Sequence, residues 1–249
     1  MPLISAAVCP HPMRLMPEIF GETGAEWQRL RAACTEAVRR LRIPIVLGPE
    51  PKAEDPADLL VVVGGDDATR DFDSASAYGS LLSNGVFWQF GWGSTHPQAQ
   101  PLPLSLTLGD WLMSKSRPGD TGMIVSDVVF QAVAFDAKPH ECAELGRELA
   151  GRAERVAMLV MGEGSTCMPA ADGERLGHHP RRCDETVLRA LEAAEADVIG
   201  QMQFSNIPTG RAAWQVLAGA AAGQRFHGTL HAGGTPEDMG YFVASWTPL

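Results

Sequence analysis

The chain has 249 residues, 45% of them hydrophobic and 20% charged, enough apolar content to fill one sizeable α/β core or two small ones. A formal net charge of −10 argues against nucleic acid and anionic membranes as main partners, because phosphate surfaces are bound through clustered Lys and Arg, and the arginines here are scattered or lie on helix faces, as at Arg39, Arg40 and Arg42. Five cysteines without a C-x-x-C pair argue against a zinc knuckle and for reduced thiols; with no basic leader pattern and no apolar run near the ~20 residues of a membrane span, the expectation is a soluble cytoplasmic protein.

Residues 3–9 (LISAAVC) read as a short buried strand that runs into Pro10-His11-Pro12. Each proline fixes its own φ and pushes the residue before it toward extended geometry, so the backbone at His11 is stiff. A stiff imidazole just past a buried strand suits a metal ligand or an acid–base catalyst, and equally a plain strand-to-loop corner. From Glu26 to Arg42, Trp27, Leu30, Cys34, Val38 and Leu41 recur on one side of a helix. Residues 44–57 read as loop. DLLVVVGG (58–65) is the clearest strand, and continuous aliphatic runs of this kind belong to strands covered on both faces, hence to a largely parallel sheet between helices.

Residues 66–73 read as a polar loop, 85–92 (GVFWQFGW) as a strand, about 104–115 as a helix within a proline-containing loop, and 121–126 and 128–135 as strands. Asp136 is the expected cap of a helix reaching about Arg152, with Cys142, Leu145 and Leu149 inward. RVAMLVMG (155–162) is a second continuous apolar strand, followed by Glu163, Gly164 and Ser165. A polar loop over 166–183 carries His178 and His179; one long helix is expected over about 184–202, another over about 211–222, and strands over 225–232 and 241–246. This alternation predicts an α/β fold: a single three-layer α/β/α domain over residues 1–249 with a mostly parallel or mixed central sheet.

In open parallel sheets ligands bind beyond the carboxyl ends of the strands. Three such ends carry chemistry: His11, Asp66-Asp67, and Glu163 with Ser165. If these strands are neighbours, one histidine and several carboxylates meet on one rim, a donor set suited to Fe(II), Mn or Zn. Each has a plainer reading too: a corner histidine, a turn or cap sequence, a solvated loop carboxylate. GEGST is not a nucleophile elbow, since its serine is displaced, and no phosphate-binding glycine loop occurs. His227 and His231 lie four apart on a predicted strand and share a face; His96 and His140 read as surface residues.

The opening AAVCPHP, then DLLVVVGG, AYGS followed by PLPLSLTLGDWL, RVAMLVMGEGS, AWQVLAGAAAG and the closing GYFVASW, in this order, resemble a group of actinobacterial proteins assigned to the class III extradiol ring-cleavage dioxygenase superfamily, among its B-type chains. The resemblance implies one α/β domain around a mixed sheet, a non-haem Fe(II) held by two histidines and a glutamate, another histidine as acid–base catalyst, and a catechol-like substrate opened by O₂. His11 matches the first metal histidine. The place of the second holds Asp66-Asp67; no histidine follows MLVMGEGS directly, and no carboxylate stands just before Trp214. The expected site is therefore an altered one. His11 and Asp66 or Asp67 are the candidate metal ligands, with Glu163 or a loop histidine completing the set. Glu163, His178 and His179 are the candidate catalytic residues. The cofactor is Fe(II), another divalent metal or none, and the partner is a small aromatic molecule. Two alternatives stand beside this: a metal-free enzyme with His11 as general base in a cleft lined by Trp88, Trp92 and Trp111, and a non-catalytic protein that binds a ligand or a partner chain. The resemblance is also compatible with a homodimer, since chains of this type often work in oligomers.

Overall fold

In the computed structural model the aliphatic runs of the sequence lie side by side. The structure describes residues 2–21, 24–43, 55–116, 127–165, 179–202, 209–234 and 239–249. In chain order the elements are β1 (Leu3–Cys9), α1 (Pro17–Phe20), α2 (Ala25–Arg39), β2 (Leu59–Asp66), β3 (Arg70–Asp73), β4 (Ala77–Ser80), β5 (Gln89–Phe90), β6 (Gln100–Leu102), α3 (Leu104–Lys115), β7 (Val128–Ala134) and α4 (Pro139–Ala150), then β8 (Val156–Met161), α5 (His179–Glu192), α6 (Ala196–Gln201), α7 (Arg211–Ala220), β9 (Phe226–Gly234) and β10 (Tyr241–Pro248). Seven strands form one mixed sheet in the order β3-β7-β2-β8-β1-β10-β9. The central four, β7, β2, β8 and β1, are parallel, and antiparallel strands close both ends. A small sheet, β5-β4-β6, packs on α3, where Ser80 donates its N–H to the Thr107 hydroxyl at 3.3 Å.

Strand alternation divides the core into two layers. In β2 and β8, Val61, Val63, Met158 and Val160 face α4 to α7, whereas Leu60, Val62, Leu159 and Met161 face α2 and α3. Burial on both faces is what a continuous aliphatic strand requires, and the α/β class expected from the sequence is the class observed.

Several elements differ from the sequence expectation. The stretch 66–73 contains β3, in which Phe72 is buried between exposed charged neighbours; a strand with one apolar residue in four does not register as periodic. Within 85–92 only Gln89 and Phe90 are strand, because Gly85 at φ 77° and Gly91 at φ 104° turn the chain on either side. The long helix over 184–202 is two helices, α5 and α6, separated at Ala194 with φ 53°. The break lets Gly228 of β9 close against the backbone at Glu192 and Leu191, and Leu191 accepts the indole N–H of Trp246 at 2.8 Å. The predicted strand over 121–126 lies outside the described residues.

Lys138, not Asp136, caps α4. Pro139 occupies the first helical position, where its fixed φ costs nothing and no N–H is needed, and the Lys138 N–H is taken by Glu141 Oε2 at 2.8 Å. We expect Glu141→Ala to cost about 0.5–1 kcal/mol in urea unfolding, as the loss of a terminal capping bond does; an unchanged midpoint would show that solvent replaces this bond in full.

Candidate functional site

The exits of β1 and β8 meet on the carboxyl rim of the sheet. Cys9 is opposite Met161 in the parallel register, and the pairing continues one step further, with the Gly162 N–H donating to the Cys9 carbonyl at 2.9 Å. Beyond it the two chain segments part. β1 leads to α2 on one face of the sheet, while β8 leads to α5, α6 and α7 on the other. Neighbouring parallel strands whose connections leave in opposite directions open a crevice between them, the topological switch point at which α/β sheets bind ligands.

His11 and Glu163 stand at this switch point. Both are buried, at 7% and 9% exposure. The stiff Pro10-His11-Pro12 corner presents the His11 main-chain N–H to Glu163 Oε1 at 3.2 Å. The His11 ring keeps a buried Nδ1 with no hydrogen-bond partner. The segment after Gly162 is held by main-chain bonds from two other parts of the chain. Glu163 accepts from the Gly210 N–H at 2.9 Å, Gly164 donates to Gly240 at 2.7 Å, and Gly240 donates to Ser165 at 3.1 Å. The position of Glu163 is thus set by the start of α7 and the approach to β10.

Asp184, on α5, joins the rim without any signal that sequence reading used. It is 5% exposed; its Oδ1 accepts the Ser165 N–H at 3.0 Å, and its Oδ2 has no partner. Burial pushes its carboxyl above the usual carboxylate range, and hydrogen bonding from Ser165 pulls it partly back. Glycine at 164 is required by this approach, since a Cβ there would lie 2.8 Å from Asp184 Oδ1 and 2.9 Å from the Phe242 ring. Trp214 stands beside Gly162, with its buried indole Nε1 also lacking a partner. Of the five buried side-chain polar atoms without a partner among the described residues, four belong to His11, Ser165, Asp184 and Trp214. Buried polar atoms are almost always satisfied in folded proteins, so their concentration on one rim makes it the candidate site.

The other candidates lie differently. The Asp66 carboxylate is engaged by Arg70 Nη2 at 3.1 Å, and Asp67 is exposed. His178 lies outside the described residues; His179 opens α5, its side chain outside what is described. His231 Nε2 meets the Ser245 hydroxyl at 2.8 Å, and His227, His96 and His140 are exposed. Trp111 is core, its Nε1 donating to Glu18 Oε1 at 3.4 Å, and Trp88 stacks on Phe90 with centroids 5.9 Å apart; the side chain of Trp92 lies outside what is described. Cys9 is fully buried, its thiol held well above its ordinary value by the hydrogen bond to Cys34 and by burial. A cavity of about 340 Å³ lined by Thr69, Val133, Ala137, Glu141, Cys142 and Leu145 contains none of the rim residues, and mostly apolar walls give it no chemistry of its own.

For a metal, His11 offers an unpartnered ring nitrogen and Glu163 an adjacent carboxylate. Among the described residues no three His, Cys, Asp or Glu side chains come together to hold an ion, so these residues alone do not make a three-ligand centre. Also among the described residues, no helix is long and apolar enough to cross a membrane.

No family model matches the chain, and no curated protein does. Among solved structures it is similar to an uncharacterized protein, JW3007 of Escherichia coli K12, at 12% identity over 98% of this chain and 99% of that one, with a TM-score of 0.48.

Proposed function

We propose that the chain is an enzyme acting on a small phenolic or catechol-like molecule in the crevice between β1 and β8, with His11 as the acid–base group. The observation that supports it most is the buried, unpartnered Nδ1 of His11, held beside Glu163 where the chain connections diverge. A phenol offers an O–H to such a nitrogen, and an imidazole is the side chain whose ordinary pKa lies closest to neutrality for accepting that proton. Glu163 acts on the backbone of His11 rather than on its ring, so its role is to keep the imidazole still. Ser165 and Trp214 add a hydroxyl and an N–H that a second hydroxyl could engage.

A second reading keeps the metal-dependent oxidoreductase implied by the resemblance to extradiol dioxygenases, with Fe(II) or another divalent ion. What favours it is that His11 stands where that family's first metal histidine is expected and that Glu163 touches its backbone. Elemental analysis of untagged protein, wild type beside His11→Ala and His11→Gln, separates the two. Near-stoichiometric iron, manganese or zinc that vanishes in both variants supports the metal reading. No metal, together with a catechol-dependent activity that falls about 10²- to 10⁴-fold in His11→Ala, supports the acid–base reading. Equal activity and equal ligand-induced Tm shifts in wild type and His11→Ala would end both.

A further inference from the structure

We propose that the crevice selects uncharged phenols and rejects those that carry a carboxylate or phosphate. This rests on the phenol reading above and concerns the charge of the substrate. The two carboxylates of the crevice, Glu163 and Asp184, are only 9% and 5% exposed. Glu163 Oε1 accepts the His11 N–H and Asp184 Oδ1 accepts the Ser165 N–H. Among the described residues neither carboxylate forms an ion pair; the salt bridges there join Glu36, Asp66, Glu18, Glu148 and Asp58 to their cations.

The cation at the start of α7 is already committed. Arg211 is 6% exposed. Its Nη2 donates to the carbonyls of Phe135 at 2.7 Å and Ala137 at 2.8 Å, and its Nη1 to Gln215 Oε1 at 2.8 Å. An anionic ligand could recruit it only by leaving those buried acceptors unpaired, which costs more than a single bond returns. What the described residues of the rim offer instead is hydrogen bonding: the ring nitrogen of His11, the indole N–H of Trp214 and the hydroxyl of Ser165. Such groups bind hydroxyls well. An added negative charge would sit in the same poorly hydrated region as two carboxylates, where like charges several ångströms apart repel far more than in water. The formal net charge of −10 repels anions at long range in the same sense.

Anaerobic isothermal titration of the purified protein with three compounds tests this: catechol, dihydroxybenzoate, and the ammonium-bearing dihydroxyphenylethylamine. We expect catechol and the amine to bind at least about tenfold tighter than dihydroxybenzoate. Glu163→Gln should bring dihydroxybenzoate to within about threefold of catechol, and Asp184→Asn should act in the same direction. Dihydroxybenzoate binding as tightly as catechol to the wild type would overturn the proposal, as would a gap that persists undiminished in both variants. Failure of all three compounds to bind would remove the phenol reading along with it, a result distinct from a reversed order.

Discussion

Gly146→Ala should lower stability by about 2–4 kcal/mol in urea unfolding, although alanine is the better helix former. On propensity alone the change would add up to about 1 kcal/mol of stability. The contact between α4 and α7 reverses the sign. A Cβ at Gly146 would be driven into the Val216 carbonyl and would lie 2.7 Å from the Ala220 nitrogen and 3.0 Å from the Gly219 carbonyl carbon. Across the same contact, a Cβ at Gly219 would meet the Ala143 carbonyl and lie 2.6 Å from the Ala143 Cα. Each of these atoms is main chain, so no side chain can swing aside, and the helices must separate. Overpacking of this kind costs about 1–3 kcal/mol, more where backbone must move, and separation also loosens Leu149, Val216 and Leu217 in the core. The effect reaches the crevice, because α7 begins at Arg211 and the residue before it, Gly210, holds the Glu163 carbonyl at 2.9 Å. Under the phenol reading proposed above, catechol affinity should therefore fall with stability. Gly151→Ala is the control: Gly151 has φ −81°, a Cβ there meets nothing closer than 3.4 Å, and its change should stay within about 0.5 kcal/mol. Equal midpoints for the two variants would refute the close-contact account.

The same contrast explains how far the sequence could be read. The runs at 58–65 and 155–162 are legible as central strands because burial on both faces demands uninterrupted aliphatic residues, and His11 and Glu163 are legible as rim residues because they follow such runs directly. The bounds of α3 are legible because Pro103 precedes it and Leu104, Leu106, Leu108, Trp111, Leu112 and Met113 recur along it up to Lys115. Asp184 is not legible. It reaches the rim through a helix whose start no local feature ties to residue 165, and the bond that joins them spans 19 residues. The break at Ala194 is set by β9 pressing on the end of α5, a tertiary demand that propensity does not encode. Gly146 and Gly219 read locally as weak helix residues, and only the partner helix shows why they are there. Asp66 and Asp67 look like the chemistry of a strand end, yet Arg70, four residues on, claims the first and solvent the second.

As pH rises from about 4 to about 7, the wild type should lose stability relative to Asp110→Asn. Asp110 lies on α3 facing the small sheet, with its Oδ2 near the Cβ position of Gly91. Burial alone pushes its carboxyl from 3.8 up to about 7. In the folded chain the carboxyl keeps its proton up to about 7; in the unfolded chain it releases it near 3.8. Between these values the folded state binds more protons, so raising the pH favours unfolding, and above about 7 the two states are equally ionised and the slope ends. A separation of about three pH units corresponds to a ceiling of about 4 kcal/mol. Residual hydration of this partly exposed side chain lowers the figure, and about 2 kcal/mol is the expected difference between wild type and Asp110→Asn at about pH 8. Asp184, also raised by burial, contributes in the same sense to both proteins and cancels in the comparison. Urea midpoints measured at intervals from about pH 4 to about pH 9 decide the matter. The amide variant should match the wild type near pH 4 and exceed it increasingly up to about pH 7, then run parallel. A variant that tracks the wild type at every pH, or that loses stability most at high pH, would mean that Asp110 is ionised in the folded protein and is held by a charge or donor on the small-sheet side of α3.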